Sequence, residues 1–582
     1  MKTNSILIRT VFSRVAFICV IAFGTPAVVC AQLEGMPNGS GTYKEFVALF
    51  QDFLEWKDPA NSNTPGWLNS MPAFSRPRSD SGRNTVGGAT KIYPDFSEDA
   101  VNIRRAQMRE FQDRLENMAV VDWQVEQQVD YLAVRSRFDQ QDFILNVSRP
   151  WSRDPGFYVD KMQRITFVDL PVSDDELAQL RVRLQAIFLL VEDGKKNLTE
   201  VAADYADLAI FNLKNADGVG HGYPYRATPP PGVIGWYADF LQRALAQQPE
   251  LQRDVAAAMK SVEGFHDWLK EHRSGMTGQA GVGKEKFDWY LKHVKLMPYT
   301  GDQIITLGKR ELNRLWSVYA LEQHRNRNLP VIELPTSAEE YAERIENTDR
   351  RIREFLIKNE IITIPDYINE LGTNVPWIVR PEGPNFWEQV QYRDPTPDHL
   401  HAVIPGHRFD GIVERHSEHP IRSKIRSGGR TEGWGVYLEE GMMNAGVIDD
   451  LPRVRELIYV FGIFRAARVP ADVWLQRNEM TVSEVVDWWM ERTPWLDENV
   501  ARVDAEIYLR RPPGYGLGYM IGMLQMQQLL ADRKRQLGDD FVLKDFHDTF
   551  MASGRLPLSL IRWEMTGLDD EVSDLWKRVP LN

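Results

Sequence analysis

Apolar residues recur along most of the chain with the period of a helix. Ile305, Leu312, Trp316 and Tyr319 follow one another at spacings of seven, four and three, which puts them on one helical stripe. Segments around 103–137, 175–213, 250–272, 303–326, 337–358 and 517–536 read in the same way. Start signals accompany them: Ser173-Asp174-Asp175-Glu176 has the form of a capping box, and Thr336-Ser337 precedes Glu339 and Glu340. Period-two alternation is scarce. It predicts short strands at 361–364 and 377–380, while 71–91, with its Pro, Ser, Gly and Arg, reads as an irregular surface segment. The expected class is mainly α: a large helical fold with a deep central cleft and a few short strands.

The front of the chain reads as an export signal. Lys2, Arg9 and Arg14 precede nine apolar residues, Val15 to Phe23, too few to span a bilayer. Val29-Cys30-Ala31 suits cleavage after Ala31, giving a signal over 1–31. The alternative is an uncleaved anchor; a lipid on Cys30 is disfavoured by the bulky Val29 before it. No later stretch is apolar enough to cross a membrane. Both cysteines, Cys19 and Cys30, lie inside the signal, so the mature chain has none. Disulfides, cysteine nucleophiles and thiolate metal sites are thereby excluded, and any metal must be held by histidine or carboxylate. The expected compartment is a bacterial periplasm or the cell exterior. The net charge is −13, and losing a signal with three basic residues and no acidic one takes it to −16. Such a surface argues against nucleic acid as a partner. Without a linker or repeat, residues 32–582 read as one large body, with a possible division into lobes near 32–280 and 281–582.

Chemistry concentrates in a histidine window. Five of the 11 histidines, His399, His401, His407, His416 and His419, fall within 21 residues. A lone pair spaced by six means little, since about 0.2 such pairs are expected by chance. In an unbroken helix, residues six apart differ by about 240° and roughly 9 Å of rise, so His401 and His407 could not share an ion. Pro405-Gly406 lies between them. Pro405 clashes with the carbonyl of His401, four residues back, and Gly406 permits unusual dihedrals. Either the pair loops out and returns His407 to the face of His401, or Pro405 ends a helix and His407 sits in a turn. A third ligand could come from Glu432, which opens an amphipathic stretch from Glu432 to Met443 after the flexible Ser427-Gly428-Gly429. Glu439, two turns further on the same face and about 10 Å away, could orient a ligand histidine. On its own, a glutamate on a helix is usually part of a solvated face, and only the combination with the histidines changes that reading.

In combination these residues resemble the bacterial domain of unknown function 885 family, related to the gluzincin metallopeptidases. Its signature is His-Glu-x-x-Pro-Gly-His followed by Glu-Gly-Trp-x-x-Tyr-x-Glu. This chain has His401, Pro405, Gly406 and His407, then Glu432, Gly433, Trp434, Tyr437 and Glu439. Further matches are Pro513, Tyr519 and Gly522, Phe546-His547-Asp548, Gly554 and Leu556-Pro557-Leu558, with Gly283 to Tyr290 and Thr300 to Glu311 upstream. The resemblance implies a zincin-like helical fold with a peptide-sized cleft. It implies one Zn2+ held by His401, His407 and Glu432, with Glu439 behind a ligand. It makes Tyr519 a candidate oxyanion donor, with Tyr515 as the alternative. The chain departs from the family twice: Ala402 stands where the catalytic glutamate belongs, and Asp410 where glutamine is common.

Alanine cannot accept a proton, and a positioned general base contributes about 10²–10⁴ in rate. A zinc ion still polarises a carbonyl without it. The first reading is an exported metal-dependent hydrolase of peptide or amide bonds with a missing or relocated base. Asp410 is the nearest candidate for that base, and Glu414 lies a turn further. The second is an inactive pseudo-peptidase that binds peptides, and the third a non-hydrolytic enzyme such as a lyase. Arg393 and Arg426 are candidates to bind a substrate carboxylate, against the commoner role of surface salt bridging. His221 would line the cleft or cap a loop, and His547 packs or caps.

Overall fold

The computed structural model describes residues 35–57, 94–216, 219, 228–369 and 371–581. The stretch predicted as an export signal, with both cysteines, the 71–91 segment and His221 lie outside the described residues. The molecule is mainly α. Among the described residues extended backbone pairs only at isolated bridges, Gly41 with Met118 and Ala202 with Gly278. The two predicted strands are therefore absent, because side chains take the place of a neighbouring strand. Asp548 accepts from the Thr363 N–H and hydroxyl at 2.9 and 2.6 Å. The Tyr392 hydroxyl accepts from the Ile378 N–H at 2.9 Å, and Arg380 is tied to Glu388.

Four helical segments stand as expected: Gln252–His272, Gly301–Arg325, Ala338–Lys358 and Leu517–Leu537. The other two each divide. Residues 103–137 become Glu98–Glu116 and Val125–Phe143, and 175–213 become Asp174–Asn197 and Ala203–Lys214. Each joint places apolar residues in the core: Met118 and Val120 in the first, Leu198, Val201 and Ala202 in the second. Apolar spacing thus runs through a turn without marking it. Both start signals form: Ser173 and Glu176 make a reciprocal capping box, and the Ser337 hydroxyl accepts from the Glu340 N–H. In Gly301–Arg325 the buried face is Ile304, Leu312, Leu315 and Tyr319. Trp316 is 39% exposed and donates from Nε1 to the Arg492 carbonyl at 3.0 Å.

One continuous apolar core includes Phe46 near one end and Trp576 near the other. Buried charges also cross residue 280. Arg510 pairs with Asp154 and Asp160, and Arg422 with Asp130. No helix among the described residues is long and apolar enough to cross a membrane.

Three helices frame the site. The glutamate helix, Gly428–Ala445, packs along the tyrosine helix, Leu517–Leu537. A Cβ on Gly433 would lie 2.4 Å from the Gly522 carbonyl carbon, and one on Gly522 would lie 2.2 Å from the Gly429 carbonyl oxygen. Only glycine lets these backbones touch. The arginine helix, Pro452–Arg477, is buried along most of its length and carries Arg465 and Arg468 into the same region.

Candidate metal centre

The break between the histidines is a chain reversal of specific form. His399–Val403 forms a π-helical turn, Ile404 is extended, Ile404–Pro405 is cis, and a new helix, His407–Arg415, begins at the second histidine. Pro405 thus ends one helix, and His407 opens the next. A Cβ on Gly406 would lie 1.9 Å from the His401 carbonyl oxygen, so this position requires glycine for close approach. Trp434 Nε1 donates to the Pro405 carbonyl at 2.9 Å and ties the break to the glutamate helix. The imidazole rings of His401 and His407 end 4.5 Å apart, edge to face.

Glu432 completes the group. Its Oε2 lies 3.2 Å from His407 Nε2 and 3.4 Å from His401 Nε2, and one donor atom from each residue falls within 4.8 Å of the others. Zinc–ligand bonds of about 2.0–2.2 Å put the donors of a tetrahedral site about 3.3–3.6 Å apart, so this nitrogen and oxygen set fits such an ion. The electrostatics agree. Burial alone would raise the Glu432 pKa, but the adjoining imidazoles hold it well below the usual carboxylate range. Burial and Arg465 oppose charge on His401, yet Glu432 and Glu439 outweigh them and raise its pKa. The pocket is built to surround positive charge with a carboxylate.

Glu439 stands behind His401, with Oε1 2.7 Å from Nδ1, and its other oxygen meets the buried Arg465. Tyr515 donates to Glu432 Oε1 at 3.2 Å and exchanges a 3.0 Å hydrogen bond with Tyr519. The Tyr519 ring lies nearly parallel to that of His401, 6.2 Å away, with the Arg468 guanidinium 4.4 Å from its centre. Burial, reinforced by Glu432, raises the Tyr519 pKa well above its ordinary value, and burial raises that of Tyr515. Both phenols therefore keep their protons and can donate. Both are partly exposed.

Other sequence candidates lie elsewhere or are committed. Asp410 is buried, with Oδ2 2.7 Å from Arg430 Nη1 and 2.8 Å from Arg555 Nε. Glu414 pairs with Arg426 and Arg555. A carboxylate held by two guanidinium groups is a poor base, so neither takes the place of the side chain missing at Ala402. Arg426 is spent on Glu414, and Arg393 bonds Gln389 and stacks on Trp495, so neither is aimed at the centre. His399 pairs with Asp349, His416 stacks on Tyr367, and His419 caps its own turn. His547 packs as expected: Nδ1 meets the Ile361 carbonyl, Nε2 meets the Tyr437 hydroxyl, and burial pushes its pKa down to about 4.

Sequence reasoning missed Gly435 and Arg465. A Cβ on Gly435 would lie 2.6 Å from the His401 ring, so the imidazole rests on bare backbone. Glycine inside a helix, at a cost of about 1 kcal/mol, was the available sign of a close approach. Arginine in the apolar run around Phe464 was the sign of a buried ion pair. A cavity of about 660 Å³ bounded by Arg149, Glu200, Thr277 and Lys286 shares no residue with the centre.

Residues 397–565, which include all three ligand candidates, Glu439 and both tyrosines, match the sequence model of a family described as "Bacterial protein of unknown function (DUF885)". This agrees with the resemblance carried by the His401 to Glu439 motifs. The fold is similar to a solved structure from Shewanella oneidensis, described as a "putative lipoprotein of unknown function". That pair has a TM-score of 0.63 and 16% identity, covering 90% of this chain and 100% of that one. It is equally similar to a "putative lipoprotein" from Colwellia psychrerythraea, with TM-score 0.63 and 16% identity, covering 90% of this chain and 98% of that one. At this identity the likeness is one of fold. No curated protein matches the chain.

Proposed function

We propose that this protein is an exported, zinc-dependent hydrolase of peptide or amide bonds in which proton transfer is impaired by Ala402. The observation that carries the reading is the convergence of His401, His407 and Glu432 through two helices and a helix break. Glu439 would fix the ring of His401, and Tyr515 would hold the free oxygen of Glu432. When bound there, the ion supplies Lewis-acid polarisation of a carbonyl. Tyr519, protonated and partly exposed, is the donor suited to a carbonyl oxygen as it gains negative charge. The export reading draws support from the basic and apolar front of the chain and from the description of both structural relatives by the words "putative lipoprotein".

One observation favours a second reading, a peptide-binding protein that keeps the ion and has lost turnover. Ala402 offers no base, and the two carboxylates weighed for that role, Asp410 and Glu414, are locked to arginines. Two measurements separate the readings. Purified protein is expected to carry about one zinc ion by elemental analysis and to lose it on His401→Ala; equal metal content in both would sink the metal centre. Ala402→Glu is expected to raise cleavage of a peptide library by about 10²–10⁴. A zinc-loaded variant that stays silent would leave the binding protein as the better description.

A further inference from the structure

The two oxygens of Glu432 face different groups. Oε2 is turned to both imidazoles, 3.2 Å from His407 Nε2 and 3.4 Å from His401 Nε2. Oε1 accepts from the Tyr515 hydroxyl at 3.2 Å, and no other group among the described residues donates to it. The last torsion of a glutamate is soft, so a carboxylate without a partner turns readily. The phenol removes that freedom.

Proton counting fixes the direction of the neighbouring bond. A carboxylate that serves as a metal ligand is deprotonated and only accepts, and a phenol carries one proton. The Tyr515 proton therefore goes to Glu432, and in the 3.0 Å contact between the two hydroxyls Tyr519 is the donor. Tyr515 is itself held from several sides. It lies in the turn that opens the tyrosine helix, where the wholly buried Asp472 accepts from the Leu517 N–H at 3.1 Å. The Tyr508 ring packs on the bare backbone of Gly516, since a Cβ there would lie 2.9 Å from it. The Arg511 guanidinium lies 3.9 Å from the centre of the Tyr515 ring.

Zinc sites closed by four protein donor atoms are structural, whereas sites with three keep a position free. With Oε2 alone turned to the histidines, the donors here are two imidazole nitrogens and one oxygen. Rotation of the carboxylate would add the second oxygen and close the set. We propose that Tyr515 is a positioning residue that holds Glu432 to one donor oxygen, and so keeps a position of the ion open to a ligand from outside. This role rests on the metal centre of the hydrolase reading and not on turnover.

Cobalt(II) is the probe, because its visible absorption is intense in a tetrahedral site and falls as ligands are added. The purified protein is stripped of metal, reloaded with Co2+ and titrated with azide. The parent is expected to show the intense bands and to bind azide with a spectral shift. Tyr515→Phe keeps the ring and loses the hydroxyl. Its bands are expected to weaken, and its azide affinity to fall by about 10–100-fold, the range for groups that orient a metal ligand. Tyr519→Phe leaves the Tyr515 proton on Glu432 and is expected to keep the parent bands before azide is added. Parent-like bands and azide affinity in Tyr515→Phe, or the same weakening of the bands in Tyr519→Phe, would overturn the positioning role. A crystal structure of the zinc-loaded parent provides a check that no variant's folding affects. Oε2 alone is expected at about 2.0–2.2 Å from the ion, and both oxygens at that distance would overturn the role. A parent that binds no Co2+ removes the metal centre and the role of Tyr515 together. A parent that behaves as expected, with no cleavage by Ala402→Glu, retains Tyr515 as positioned and removes the hydrolase.

Discussion

Glu439 acts on the centre only through His401. It is almost wholly buried, its Oε1 is 2.7 Å from His401 Nδ1, and its other oxygen meets Arg465, so it fixes both ring orientation and local charge. Partners of this kind typically account for about 10–100-fold in metal affinity. Glu439→Gln is therefore expected to weaken zinc binding by that factor in competition with a chelator, while leaving His407 and Glu432 in place. An affinity within about twofold of the parent would show that His401 needs no such support. The contrast with Asp410 is instructive. Both are buried carboxylates close to a ligand in sequence, yet Asp410 faces Arg430 and Arg555 while Glu439 faces the imidazole. Proximity along the chain does not decide which carboxylate serves the site.

At the scale of elements, the site depends on how closely two helices meet. Gly429 and Gly433 of the glutamate helix press on Gly522 of the tyrosine helix. That contact sets Glu432 within reach of Tyr515. Gly433→Ala is expected to cost about 1–3 kcal/mol by overpacking, read from the urea midpoint. It is also expected to weaken zinc binding, because the separated helices would lengthen the Tyr515 to Glu432 bond. A stable variant with unchanged zinc affinity would show that the helices can part without disturbing the ligand. Much of this was legible in sequence. Pro405-Gly406 announced a break between His401 and His407 without fixing which way the chain turns there, and the two glutamates seven apart announced one helical face. What the sequence left hidden has physical causes. The turns at 118–120 and 198–202 set their apolar residues, Met118, Val120, Leu198, Val201 and Ala202, into the core, so the apolar period runs through them. The buried face of Gly301–Arg325 is centred on Ile304 and Leu315, because Trp316 finds a carbonyl partner at the surface. Arg555, which pairs with both Asp410 and Glu414, comes from a segment distant in sequence, which no local pattern reports.

For the molecule as a whole, the question is whether its two halves unfold together. Arg510 ends the Glu498–Arg510 helix, is 3% exposed, and pairs with Asp154, Asp160 and Glu506. Two of those carboxylates lie more than 340 residues earlier in the chain. Near it, the Tyr205 hydroxyl donates to the Leu509 carbonyl and Asn212 to Glu506. Removing one partner of a buried ionic group costs about 3–5 kcal/mol, because the remaining charges stay buried without compensation. Arg510→Met keeps the bulk of the side chain and strands three carboxylates. If the halves form one cooperative unit, this variant lowers the urea midpoint of a single transition, and tryptophan fluorescence and circular dichroism report the same curve. If the halves are independent, the parent itself unfolds in two steps and the substitution moves only the step that buries Arg510. The apolar core that includes both Phe46 and Trp576 favours the first outcome, since opening either half would expose surface that the other covers.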